Sequence, residues 1–300
     1  VAVAWWVWVG VLGVILVVLA VDLLAHRGER AVGVRGAAVW SGVWVALGVA
    51  FGAVVWWGWG GEAAGQYYAG YLIEKSLAVD NVFVFAVIFG YFAVPRERQH
   101  RVLFYGVIGA LVFRAVFIAA GSALIASFSW VLYLFGAFLV LTGARLAWRR
   151  KKPARPGDNL VLRVSRRLLP KRWMARPLLA VLITIEVTDL VFSVDSIPAI
   201  FAVTQQPFLV FTSNAFAVLG LRAMYFLLAD LVHRFAYLTL GLSAVLVWVG
   251  LKMLLHHVYV IPTGVSLAVV AAILAVAVGA SWLRGRRSPA AGRPPGRASG

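Results

Sequence analysis

The sequence predicts an all-α polytopic membrane protein of about nine transmembrane helices, six of them forming two inverted three-helix repeats. Four observations predict it. Of 300 residues, 63% are hydrophobic and 13% charged, with a mean hydropathy of +0.91. Several apolar runs reach the roughly 20 residues that cross a hydrocarbon core of about 30 Å. Basic residues crowd every second connecting segment, and an acidic motif inside apolar sequence recurs at an offset of 115 residues.

Taken in order, the spans fall at about 3–24, 36–57, 70–94, 102–125, 129–148, 177–203, 208–230, 236–255 and 262–283. Residues Val1 to Ala20 are apolar with no basic leader before them, which predicts a first span that stays in the membrane instead of a cleaved signal. Residues 1–69 hold two accessory helices, 70–148 the first repeat, 149–176 a basic linker, 177–255 the second repeat, 256–283 the last helix and 284–300 a disordered basic tail.

Segments 27–35, 96–101 and 149–176, Arg234 and the tail from Arg284 carry 23 of the 28 basic residues, whereas 58–66, 126–128, 205–206 and 256–260 carry none. By the positive-inside rule the basic segments are cytoplasmic, so the N-terminus lies outside and the C-terminus inside. Trp5, Trp6, Trp8, Trp56, Trp57, Trp59, Trp130, Trp148 and Trp282 collect near span ends, as amphipathic rings do at headgroup level. The formal charge of +17 therefore orients the chain and pairs it with an anionic inner leaflet. It flanks spans and forms no separate basic domain, which argues against a nucleic-acid partner. Oligomeric state is not readable.

The repeat begins with Leu77-Ala78-Val79-Asp80-Asn81-Val82, which aligns with Phe192-Ser193-Val194-Asp195-Ser196-Ile197 and brings Glu74 onto Asp189. It continues with Phe113-Arg114-Ala115 against Leu221-Arg222-Ala223, and Leu141-Thr142-Gly143-Ala144 against Trp248-Val249-Gly250-Leu251. Three spans is an odd number, so the second copy enters the membrane upside down. Such repeats set their first helices against each other, with substrate near the midplane. Asp80 and Asp195 are thereby expected to face one cavity.

Of 11 acidic residues, Asp22, Glu29, Glu62, Glu97 and Asp158 fall in or beside loops, and Asp230 lies near a helix end beside His233 and Arg234. Glu74, Asp80, Glu186, Asp189 and Asp195 are at membrane depth. A charge at helix centre costs about 2.5 to 3.5 kcal/mol on the insertion scale, so five would cost roughly 12 to 18 uncompensated. Arg114 and Arg222 are the expected pairing partners, and Lys75 is near enough to an interface to snorkel. The residual negative charge suits a divalent cation. Residues six apart on a regular helix are separated by about 240°, so Glu74 and Asp80 share no face, nor do Asp189 and Asp195; Glu186 and Asp189 do. Pro198 removes the helical partner of the Val194 carbonyl, and an unwound turn there would bring Asp195 and a free carbonyl into the cavity.

There is no cysteine, which excludes disulfides and thiolate metal sites, and His26, His100, His233, His256 and His257 lie at span ends or in loops. The intramembrane donors are oxygens, which suit Mg, Ca or Mn and do not choose among them. Asn81 and Asn214 are candidate ligands or interhelical hydrogen-bond partners. Three other readings stand beside transport: acids that only staple the bundle through Arg114 and Arg222, a membrane partner or assembly factor, and an intramembrane aspartyl hydrolase. The last lacks a Gly-x-Gly-Asp setting at Asp80 or Asp195.

The runs Glu74 to Phe85, Thr188 to Phe201 and Phe211 to Arg222, with Ala20-Val21-Asp22-Leu23 at the end of the first span, resemble the signature segments of the TerC family, and the likeness covers nearly the whole chain. The resemblance implies membership of the LysE-type transporter superfamily, an association with tellurite-resistance clusters and no enzymatic activity. It implies export of manganese from the bacterial cytoplasm as a transported substrate. It also implies that Glu74, Asp80, Asn81, Glu186, Asp189 and Asp195 form the metal path.

Overall fold

The computed structural model describes residues 3–25, 34–128, 130–149, 177–228, 237–255, 258–259 and 261–287; the side chains of Asp80 and Asp195 lie outside the described set. So do the linker from 150 to 176, Asp230 with His233 and Arg234, and the tail beyond Arg287. The described residues form helices and no strand. In order these are α1 (Trp5–Ala25), α2 (Val34–Tyr91), α3 (Arg96–Ser127), α4 (Val131–Arg149), α5 (Pro177–Phe201), α6 (Pro207–Leu219), α7 (Leu221–Leu228), α8 (Leu238–Leu255) and α9 (Thr263–Arg287).

Among the described residues five helices are long and apolar enough to cross a membrane, or six when α6 and α7 count as one bent span. Large apolar side chains face outward along them, with Leu16 65%, Val17 62%, Val116 60% and Leu141 69% exposed. In water such continuous apolar surface would associate; in lipid it is the expected exterior. The protein is a multi-pass membrane protein.

Helix α2 contains 58 residues, which at about 1.5 Å per residue is far more than one bilayer crossing. It is a hairpin of two limbs. The fold-back is at Gly60, with φ 85° and ψ 177°, a backbone region open to glycine almost alone. The Tyr67 hydroxyl donates to the Gly48 carbonyl and that of Tyr68 to Val49, both at 2.8 Å. Gly48 and Gly52, one turn apart, provide the close approach: a methyl group on either would overlap Tyr71 or Tyr68. Residues 58–66, expected as a loop, are thus helical apart from the break at Gly60.

The other expected span that differs is 208–230, which breaks at Gly220 into α6 and α7 with a 41° bend. The break frees the Ala217 carbonyl, which accepts a hydrogen bond from Lys75 Nζ at 3.0 Å. Lys75 therefore closes the end of a half-helix inside the bundle and does not snorkel away. Gly220 leaves the room for it, since a Cβ there would lie 2.9 Å from Nζ and 2.8 Å from Trp44.

The helices pack as two compartments on either side of α2 and α5, which touch each other. On one side α3, α6 and α7 bury the larger core, including Tyr67, Val82, Phe85, Ile185 and Ile197. On the other, α4 and α8 bury Ile73, Leu139, Ala199, Leu242 and Val249. The α4–α8 pair is antiparallel and close, with Gly136 against the Gly250 backbone and Gly143 against that of Ser243. Helix α1 packs on α6, and α9 on α2 and α8.

Candidate functional site

Arg114 of α3 is 1% exposed and is the hub of the larger compartment. Its Nε and Nη2 donate to the two carboxylate oxygens of Asp189 at 3.2 and 2.9 Å, a two-pronged pairing that fits the planar guanidinium. Its Nη1 donates to Glu74 and, at 2.9 Å, to the Asn214 side-chain oxygen. One cation thus joins α2, α5 and α6. Glu74, Asp189 and Asn214 are 0%, 3% and 1% exposed.

The neutralisation is incomplete. Two carboxylates face one guanidinium, and Glu74 Oε2, Asn214 Nδ2, Ser193 Oγ and Ser196 Oγ are buried without a hydrogen-bond partner among the described residues. Unpaired polar atoms at such depth are costly and call for a ligand, water or proton. Seven residues on from Glu74 the helix returns to the same face, where Asn81 is 3% exposed; seven on from Asp189 it returns to Ser196, 2% exposed. Each half of the repeat therefore lines this compartment with an acid and a polar residue two turns away.

Glu186, one turn before Asp189, occupies a notch on α3. Gly106 and Gly109 form the notch, and a methyl group at 109 would overlap the Glu186 carboxylate. Its Oε2 has no hydrogen-bond partner among the described residues. Because the clash involves the flexible end of a side chain, Gly109→Ala should fold normally and displace the carboxylate. Its melting temperature without added metal should stay within a few degrees of wild type, while any rise on adding a divalent metal ion should be smaller; an undiminished rise would remove Glu186 from the site.

Several expectations are corrected here. Asp22, expected in or beside a loop and outside the buried charge network, lies in the last turn of α1, 6% exposed, and pairs with Arg222, which also donates to the Asp22 carbonyl at 2.9 Å. Among the described residues, Arg222 is therefore tied to α1 through Asp22. Helix α5 is continuous through Pro198, so no unwound turn redirects Asp195. The proline lies one turn from the helix end at Phe201, and the missing N–H costs a single carbonyl its partner without breaking the helix.

With both helices regular at these positions, the backbone of Asp80 and of Asp195 is turned by about 240° from Glu74 and Asp189. By register Asp80 falls on the face of Ile73, two turns earlier, and Asp195 on that of Ala199, one turn later. Those two belong to the α4–α8 compartment. Among the described residues no group of three or more His, Asp or Glu side chains converges as a metal site. What the sequence did not disclose is the Gly106–Gly109 notch, the Asp22–Arg222 pair and the lysine-capped break. The only hint of the pair was that Asp22 closes an otherwise uncharged span.

Residues 59–288 match the integral membrane protein TerC family. The uncharacterized membrane protein STKORF319 of Myxococcus xanthus is 46% identical over 298 residues, covering 94% of this chain and 93% of its own. Alx of Escherichia coli (strain K12), whose name proposes a membrane-bound redox modulator, is 47% identical over 292 residues, with 89% and 91% covered. An uncharacterized membrane protein of Rickettsia bellii (strain RML369-C) is 36% identical over 298 residues, with 92% and 97% covered. No solved structure matches the chain. The match over residues 59–288, together with relatives 36% to 47% identical across most of the chain, establishes that the chain belongs to the TerC family of integral membrane proteins.

Proposed function

We propose that the chain is a secondary transporter that exports a divalent metal ion, Mn2+ first and Ca2+ or Mg2+ as the chemical alternatives, through an acidic site between two inverted repeats. The observation that carries the reading is the split of the acids by helical register. Glu74 and Asp189 share Arg114, whereas Asp80 and Asp195 fall, by backbone register, on other faces of the same two helices. Two repeat-related carboxylates suit a hard dication.

The packing supports the inverted repeat. Exchanging α2 with α5, α3 with α6 and α7, and α4 with α8 converts each of the main contacts into another that is present: α3 packs on α5 as α6 and α7 pack on α2. At an offset of 107, Gly143 corresponds to Gly250 and Gly136 to Ser243, so the contacts Gly136–Gly250 and Gly143–Ser243 are two views of one interaction. Counting both limbs of α2 and joining α6 to α7 gives nine elements among the described residues, an odd number that fits the proposed orientation with the basic segments on the cytoplasmic side of a bacterial inner membrane.

The redox role proposed in the name of the Escherichia coli relative cannot, in this chain, rest on thiol–disulfide exchange within its 300 residues, which contain no cysteine. The test is manganese flux in liposomes containing the purified chain, with calcium and magnesium as competitors. Saturable flux ordered by one of these ions supports the reading; none above empty liposomes leaves a membrane partner or assembly factor. Orientation is checked with single cysteines in this cysteine-free chain. One at Gly61 should react with an impermeant reagent in intact cells and one at Arg155 should not, and the reverse pattern would invert the topology.

A further inference from the structure

At the end of the bundle where α2 folds back, a cavity of about 300 Å³ opens between the end of α5, the start of α6, the end of α8 and the start of α9. Lys252 lines it. That lysine is 8% exposed, yet among the described residues its ammonium meets no carboxylate and donates no hydrogen bond. A buried, unpaired cation is expensive, and one that faces an open cavity is built to meet something that enters.

The rest of the lining has the same polarity. Gln206, the N-cap of the 13-residue α6, and Thr263, the first residue of the 25-residue α9, both reach the cavity, so two helix N-termini direct their partial positive charge toward it. Gln206 makes no side-chain cap, and Gln205 and Thr204 add further amide and hydroxyl donors. The opposing charge in the lining is Glu62, an exposed carboxylate on α2 that accepts from Gln66 Nε2 at 3.4 Å. Being exposed, it is screened by solvent and leaves the buried lysine unneutralised.

We propose that this cavity is a binding site for a phosphate-type oxyanion, held by Lys252 at its centre. A polyatomic anion with several acceptor oxygens matches the mixture of ammonium, amide and hydroxyl donors better than a halide, and the volume accommodates either a free anion or the headgroup of an anionic lipid. The assignment concerns binding alone and holds whichever ion the chain transports.

The test uses the purified full chain in phosphate-free maltoside micelles, with melting temperature as the readout and sodium chloride matching ionic strength. Inorganic phosphate is titrated in one arm and phosphatidylglycerol in the other. A saturable rise with phosphate identifies a free anion, and a rise with the lipid alone identifies a headgroup. In either arm Lys252→Met should weaken binding by about tenfold or more, because a charge-assisted hydrogen bond is lost, while Lys252→Arg retains it. Lys252→Gln stands in if the methionine variant is poorly made. Equal rises in wild type and the uncharged variants, or no rise in either arm, would overturn the proposal.

Discussion

Arg114→Met should be lost from the membrane. The substitution removes the one cation that Glu74, Asp189 and Asn214 share, at a position 1% exposed, and leaves two carboxylates facing each other in a low-dielectric interior. Breaking a buried ion pair by removing one partner costs about 3 to 5 kcal/mol, comparable with the whole stability margin of many folded proteins. Membrane abundance by immunoblot and detergent-solubilised melting temperature read the effect. Arg114→Lys should recover part of it, since a single ammonium cannot engage both Asp189 oxygens, Glu74 and Asn214 at once. Neutralising the acids together with the arginine, as Glu74→Gln, Asp189→Asn and Arg114→Met, should restore abundance without restoring any cation site. Wild-type abundance and melting temperature in Arg114→Met would show that the network contributes nothing to the fold.

What was legible in the sequence follows from the solvent. A chain that must satisfy its backbone internally and present apolar side chains to lipid shows its spans as uninterrupted hydrophobic runs, and α1, α3, α4 and α9 lie close to where hydropathy puts them. The acids were visible for the same reason: against an apolar background each carboxylate stands out, and Glu74, Asp189 and Asn214 do meet on Arg114. Less legible was anything fixed by close approach between distant segments. Hydropathy does not record that Gly109 leaves room for Glu186, or that Gly48 and Gly52 let two tyrosines draw the limbs of α2 together. Pro198 misled because position decides a proline's effect. Near the end of α5 it costs one hydrogen bond, while the actual break falls at Gly220, where Lys75 compensates the exposed carbonyl.

Asp80→Asn and Asp195→Asn should each leave the protein abundant and folded while abolishing most manganese transport. The argument for stability comes from the pairing of the arginines. Arg114 is held by Glu74, Asp189 and Asn214, and Arg222 by Asp22, so neither substitution removes a described partner of a buried cation. If these two acids were staples of the bundle, their loss would instead deplete the protein, as expected for Arg114→Met. The argument for lost transport rests on charge: asparagine keeps the size and a carbonyl oxygen but removes the negative charge that a dication needs from an oxygen-only site. Efflux should fall by at least about tenfold, which corresponds to only about 1.4 kcal/mol and is modest for one ligand charge in a low-dielectric site. Abundance, melting temperature with and without manganese, and manganese efflux separate the outcomes. Wild-type efflux from both variants at wild-type abundance would end the shared-site reading, whereas depletion of both would make Asp80 and Asp195 structural and return the search for cargo to Glu186 and the unpaired oxygens around Arg114.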